Sequence, residues 1–328
     1  MRFGPFVPKL VLALLAAMPT GQDLSAQGYP ARPITLIAPW PAGGAIDALC
    51  RALGPKLAAR LGRPVVIENR PGAGSTLGVA AAVRAPADGY TLVMAGSGSL
   101  AIAPTAYNKL PYDPTKDFAP LGLIATIPFV LVVNPSLPVK SVADLVKYAK
   151  EKPGQLNYGS GGPGSPHQLL TEIFKGMTGI DMAHVPYKGS APALNDVVGG
   201  HIQVLFSGPP PSLPQIQAGN VRALGVSSPT RWPTAPEIPT IAEAGVPGFD
   251  VAGWGMLVAP AATPNDIVMR LHAELKAVLA SKEAQEQILM LGMLPATGSS
   301  REELQPFIKS EIERWGKIVR QAGLAGSM

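Results

Sequence analysis

Four short loops built mostly of glycine, serine, alanine and proline are the residues of this chain best suited to chemistry. They are Pro41-Ala42-Gly43-Gly44, Gly72-Ala73-Gly74-Ser75, Gly96-Ser97-Gly98-Ser99 and the longer run from Gly159 to Ser165. Each follows an apolar run that reads as a strand, and three lead into a helical pattern. Small residues let backbone N–H groups come close to a bound molecule, and the start of a helix carries partial positive charge. Loops of this kind bind an anion without any arginine. Asp47, three residues after Gly44, either complements the helix dipole or addresses a ligand donor group through water. Trp40 either stacks on a ligand or belongs to the core. His167 either hydrogen-bonds an anion or stands at a helix start in solvent.

Other chemistries find little support. Gly72, Gly74 and Gly78 are spaced one residue too long for a dinucleotide fingerprint, and no phosphate-binding G-x-x-x-x-G-K-[ST] occurs. No serine lies in a G-x-S-x-G elbow. His167, His184, His201 and His272 show no metal-ligand spacing. No catalytic residue, metal or cofactor is therefore expected.

The elements that must position the loops repeat one phrase: strand, small-residue loop, helix. Ile34–Pro39, Val65–Glu68 and Tyr90–Ala95 read as strands, with helices around 46–57 and 76–84. Pro55 should kink or split the first helix. A second set begins near Phe129. It contains a helix over 142–151 capped by Ser141, a strand at Leu156–Tyr158 and a helix over about 168–177. Further strands fall at 184–187, 202–206 and 221–226. The run 251–260 looks like a return crossing, Pro264 should open a helix at its first position, and Ser300 with Glu303 forms a capping box for a last long helix. Alternating strands and helices predict an α/β fold with two largely parallel, doubly wound sheets, in which such loops gather at the carboxyl edge of the strands. The chain should cross between lobes near 130 and near 255, giving lobe 1 as 27–130 and 255–328 and lobe 2 as 131–254.

Bulk properties agree with this division. The 328 residues exceed what one core usually serves, and 47% are hydrophobic against 15% charged. The net charge of +5 comes without any basic run, so no nucleic-acid partner is expected. Cys50, the single cysteine, lies among apolar residues at helical spacing and reads as a buried thiol. At the N-terminus, Arg2 and Lys9 precede an apolar run from Leu10 to Met18 and a polar stretch ending Leu24-Ser25-Ala26. That pattern is of signal-peptide type, with residues 1–26 removed and the mature protein exported to the periplasm.

Pro39-Trp40-Pro41-Ala42-Gly43-Gly44-x-x-Asp47 resembles the opening of Bug-type receptors, the extracytoplasmic solute-binding proteins of the tripartite tricarboxylate transporter class. Glu68-Asn69-Arg70-Pro71-Gly72-Ala73-Gly74, the run Pro86 to Leu92, Val185-Pro186-Tyr187-Lys188-Gly189, Ile238-Pro239-Thr240-x-x-Glu243-x-Gly245 and Ala259-Pro260-x-x-Thr263-Pro264 extend the resemblance over essentially the whole mature chain. It implies a two-lobed, type II periplasmic binding protein of Venus flytrap form, with two hinge crossings. It also implies capture of a small organic carboxylate for membrane transporter subunits; a monomer is expected, and presentation of the ligand to a signalling partner is the alternative. Carried onto this chain, the resemblance places Trp40, Ala42, Gly43, Gly44 and Asp47 at the pocket, with Ser97 beside it. Ser160, Gly164 and Ser165 face it from lobe 2. Two departures complete the expected set: His167-Gln168-Leu169 replaces a common Ser-His-Leu, and Ser207 stands where an aspartate is common. Loss of that acid favours a ligand without an amino group.

Overall fold

Runs of β-branched residues and leucine, cut short by glycine and proline, supply eleven strands and ten α-helices in the computed structural model, which describes Met1 and residues 28–328. The expected leader lies outside the described residues. One sheet holds β1 (Ile34–Ala38), β2 (Val65–Asn69), β3 (Thr91–Gly96), β4 (Phe118–Ile127), β10 (Gly253–Pro260) and β11 (Leu294–Pro295), in the order β11-β4-β10-β3-β1-β2. The other holds β5 (Val130–Val133), β6 (Asn157–Ser160), β7 (Ala183–Pro186), β8 (Val204–Ser207) and β9 (Arg222–Val226), in the order β7-β6-β8-β5-β9. The molecule is thus two-lobed, one sheet to a lobe.

The sheets are less uniformly parallel than the sequence pattern predicts. β1 pairs in parallel with β2 and β3, and β6 with β7 and β8. β10 and β5, however, run antiparallel to both of their neighbours. These are the two strands that the chain builds immediately after crossing between lobes. A chain entering a lobe at the hinge arrives at the carboxyl edge of the parallel strands and has to run away from it, so each crossing inserts one reversed strand.

Helices cover both faces of each sheet. On the first, α1 (Ala45–Leu61), α8 (Asn265–Leu279) and α9 (Lys282–Met290) pack on one side around Leu36, Leu53, Leu92 and Leu271. On its other side lie α2 (Thr76–Val83), a helical stretch Gly98–Ala106 ending in α3 (Ala103–Ala106), and α10 (Arg301–Gln321). On the second sheet, α4 (Val142–Glu151) and α5 (Pro166–Thr178) cover one side, and α6 (Ser190–Val198) and α7 (Pro209–Gln217) the other. α1 stays one helix through Pro55, whose ring is exposed; the lost backbone bond is outweighed by burial of Ile46, Leu49, Cys50, Leu53 and Leu57 on the opposite stripe. Pro264 is the N-cap of α8, one position earlier than the pattern predicts. The capping box at Ser300 and Glu303 forms, with the Ser300 N–H donating to Glu303 at 2.8 Å.

One apolar cluster runs unbroken from lobe 1 through the hinge into lobe 2, from Val93 and Trp254 to Phe129, Leu131, Phe174 and Phe206. The crossings themselves are held by Ser227. Its hydroxyl accepts from the Phe129 N–H at 2.9 Å and donates to the Val251 carbonyl at 2.6 Å. Its backbone N–H donates to Phe129 and its carbonyl accepts from Val251, at 2.8 and 3.0 Å.

Inside the same cluster, buried Glu311 of α10 accepts from the indole N–H of Trp254 at 2.6 Å and of Trp315 at 2.9 Å, and pairs with Arg314 at 3.2 Å. Glu311→Ala would leave two buried indole donors unpaired, each at a cost of roughly 1–3 kcal/mol. Urea unfolding of this variant should therefore show about 2–5 kcal/mol of lost stability with an unchanged denaturant slope; a loss below about 1 kcal/mol would mean the indoles find other partners.

Candidate functional site

The loop before α1 is shaped by its own side chains. Gly43 takes φ +82°, a backbone conformation that favours glycine, and Gly44 is the N-cap with no side chain to satisfy the first turn. Asp47 is 2% exposed and spends its carboxylate on this loop. It accepts from the Gly43 N–H at 2.9 Å, from Arg51 at 2.9 Å and from Asn69 at 2.8 Å, and Asn69 also holds the Trp40 carbonyl at 3.0 Å. Burial would raise the Asp47 pKa, but these hydrogen bonds prevail and hold it below the ordinary carboxylate value. α6 likewise begins after a glycine N-cap, Gly189, with no side-chain cap. The first-turn N–H groups of both helices have no partner within their own helix.

These two helix starts meet across the cleft. A Cβ placed on Gly189 would stand 2.7 Å from Pro41, and one on Gly43 would stand 4.0 Å from the Ala191 Cβ. Other glycines also bring backbone against the opposite lobe: a Cβ on Gly74 would lie 2.8 Å from the Pro163 carbonyl, and one on Gly161 2.8 Å from the Trp40 ring. Between the lobes is a cavity of about 50 Å³. Gly44, Ala45, Ser190 and Ala191, from the two helix starts, line it together with Trp40, Ile46, Ile127, Phe129, Pro166 and Trp254. Pro41, Gly96, Ser97, Gly98, His167 and Gly253 complete the lining, which contains no charged residue among the described residues.

His167 is 7% exposed, with Trp40 and Phe129 edge-on to its ring at 5.8 and 5.2 Å between centroids. Its Nδ1 is sealed against Gly161 and has no hydrogen-bond partner among the described residues. Burial alone pushes its pKa down to about 4, so the imidazole is neutral at pH 7.

The expected site residues divide into two groups. Trp40, Gly44, Ser97 and His167 line the cavity. Ala42 and Gly43 are exposed on the loop, and Asp47 stands behind it. In lobe 2, Ser165 caps α5 through the Gln168 N–H at 3.4 Å, and Gln168 accepts from the Gly164 N–H at 2.9 Å. Ser160 accepts from the Gly162 N–H at 3.0 Å and bonds the His184 Nε2 at 2.6 Å, while His184 stacks on Tyr158. Ser160, Gly164, Ser165 and Gln168 thus shape the long loop from behind. Ser207 is fully buried at the end of β8, with its hydroxyl 3.5 Å from the Gly208 carbonyl. Sequence reasoning missed Ile46, Ile127, Phe129, Ser190, Ala191 and Trp254. Ser190 and Ala191 carried the usual signal, a small-residue start after a strand, but Pro192 hides the helix.

The family model described as "Tripartite tricarboxylate transporter family receptor" matches residues 49–324. The chain belongs to this family. BugT of Bordetella pertussis is 37% identical over 301 residues, 92% of each chain. Among solved structures, Rpa4515 of R. palustris with adipate is 40% identical with a TM-score of 0.88, over 90% of this chain and 99% of that one. MatC of Rhodopseudomonas palustris with bound malate is 31% identical with a TM-score of 0.84, over 89% and 100%. Tripartite tricarboxylate transporter family receptors are solute-binding proteins, and the cavity of this receptor lies where its two lobes meet.

The neutral state of His167 gives this receptor a pH signature. Ordinary histidine titrates near 6.5. Between pH 6.5 and 4 the unfolded chain takes up a proton that the folded receptor refuses, so stability falls as pH drops through that window. From pH 7 to pH 4.5 the parent protein should lose about 2–3 kcal/mol more than His167→Gln, read from paired urea titrations. Parallel losses would place the burden on another group.

Proposed function

We propose that this chain is an exported receptor that closes its lobes, 27–130 with 255–328 and 131–254, on a small organic carboxylate. The closed form then delivers it to the membrane subunits of a tripartite tricarboxylate transporter. The observation that carries this reading is the meeting of the α1 and α6 helix starts at a cavity with no charged side chain among the described residues. Two sets of free N–H groups and two helix dipoles favour negative charge there, and a carboxylate's two oxygens can accept from both. Relatives of 40% and 31% identity were solved with adipate and malate, both carboxylates. Removal of the leader after Ala26 and periplasmic residence complete the proposal.

The Ser160–His184 pair invites a hydrolase reading, because a serine hydroxyl 2.6 Å from an imidazole is what nucleophilic catalysis uses. The surroundings oppose it. Ser160 is fully buried and does not line the cavity, and the other ring nitrogen of His184 faces the Gln168 amide at 3.5 Å, not a carboxylate.

Closure gives the test. Gly189 has φ 171°, extended backbone open to any residue, so Gly189→Ala should fold normally. Its new methyl would meet Pro41 only when the lobes close. A thermal-shift screen of the mature protein should show stabilisation by carboxylates, about 2.7 kcal/mol at a hundred times Kd. Gly189→Ala should melt like the parent without ligand and bind the active carboxylate at least tenfold more weakly. Stabilisation by no carboxylate would end the reading, and unchanged affinity in the variant would remove closure from it.

A further inference from the structure

The lobes also touch outside the ligand cavity, at a contact built by residues 326–328. These run beside the end of α3 and are bonded to it at three points. The Gly326 N–H donates to the Thr105 carbonyl at 3.1 Å, the Met328 N–H to the Ala106 carbonyl at 3.2 Å, and the Asn108 N–H to the Met328 carbonyl at 2.9 Å. Gly326 takes φ +60°, and a Cβ there would fall 2.6 Å from the Asn108 Oδ1, so glycine lets the two segments lie this close. All of these residues belong to lobe 1. They carry the half-buried Met328 side chain across to lobe 2, where its Sδ and the Tyr107 ring each lie 2.9 Å from the place a Cβ on Gly164 would take. The Tyr107 hydroxyl donates to the Ala73 carbonyl of lobe 1 at 2.8 Å and lies 3.4 Å from the Pro163 carbonyl of lobe 2. Neither Met328 nor Tyr107 lines the cavity.

We propose that Met328 and Tyr107 form a latch: lobe 1 closes them on Gly164 of lobe 2, which holds the cleft shut from outside the cavity and slows release of its ligand. The release step rests on the receptor reading above; the latch itself does not. Gly164 takes φ +70° and has no side chain, so its bare backbone leaves a notch that the two lobe 1 side chains fill. A thioether is unbranched and polarizable, which suits a surface that parts and re-forms. The notch moves with α5. The Gly164 N–H is held by Gln168 at 2.9 Å and Ser165 caps that helix, whose Pro166 and His167 line the cavity. A contact made only when the lobes meet raises the closed population with or without ligand. Because it touches no ligand, it cannot choose among them; it sets how long any of them stays.

The experiment places spin labels on the mature protein at Val66→Cys and Val198→Cys, exposed positions in lobe 1 and lobe 2, while buried Cys50 stays unlabelled. Pulsed dipolar spectroscopy then reads the ratio of closed to open molecules, first without ligand. Met328→Ala should lower that ratio about fivefold, the effect of removing a half-buried thioether contact, and Met328→Leu should restore it. With adipate and malate as probes, stopped-flow tryptophan fluorescence should show release from Met328→Ala about fivefold faster at an unchanged association rate. Equal ratios in parent and Met328→Ala, or a ligand-free parent with no closed form, would overturn the latch and leave the receptor reading standing. A lowered ratio with unchanged release would keep the contact and overturn its role in retention. A lowered ratio in a protein that binds no carboxylate would uphold the latch and overturn the receptor reading.

Discussion

A negative charge placed in this cleft has to be met by dipoles, because no charged side chain of the described residues lines it. That constraint shapes the rest of the molecule. Helix N-termini can serve as an anion site only if their first-turn N–H groups stay uncapped and water is kept away. Gly44 and Gly189 meet the first condition by carrying no side chain that could cap α1 or α6. The aromatic wall of Trp40, Phe129 and Trp254 meets the second. Asp47, the one acid near the loop, is neutralised by Arg51 and turned to hold backbone, so its charge does not oppose an anion.

Each helix start belongs to a different lobe, and the site therefore exists only when the lobes approach within van der Waals distance. Side chains in between would prevent that approach, which is why Gly74, Gly161 and Gly189 each face the opposite lobe with bare backbone. The hinge keeps the approach in register. Ser227 ties the outgoing and returning crossings together, and Phe129, bonded to it through both backbone groups, extends its ring into the cavity beside His167. Hinge and ligand wall share a residue, so movement of one is movement of the other.

Much of this was legible in the sequence because glycine and caps are local signals. The start of α4 and its Ser141 cap follow from Ser141 and Asp144 alone, and the box at Ser300 and Glu303 follows in the same way. The glycine N-cap and positive-φ turn of loop 41–44 needed only two glycines before a helical stripe. What escaped was set by non-local packing. β4 contains Pro120 and Gly122, which argue against a strand, yet pairing with β10 along its length holds it extended. α7 holds four prolines in nine residues and α6 has Pro192 in its first turn, and both are helical because lobe 2 buries Ala193, Leu194, Val197 and Ser212. The distinction between residues facing the cavity and residues supporting it was also invisible. Ser160, Ser165 and Gln168 have the composition of ligand contacts, but their partners, His184 and the Gly164 N–H, are assigned only by the fold.

A neutral, divided site also bears on release. A lysine or arginine on one lobe would keep its attraction for a carboxylate whether the cleft were open or shut. In the proposed site the donors would come half from α1 and half from α6, and opening would take away one set while admitting water to the other. Affinity then depends steeply on closure, since the ligand favours the closed form by the contacts that only that form makes. The same argument explains a neutral His167. A charged imidazole beside the anion would strengthen binding at every hinge angle, whereas a buried neutral ring contributes chiefly shape and an edge contact that vanishes when Trp40 and Phe129 separate. On the proposed reading, control of binding would move from the ligand's charge to the geometry of the hinge.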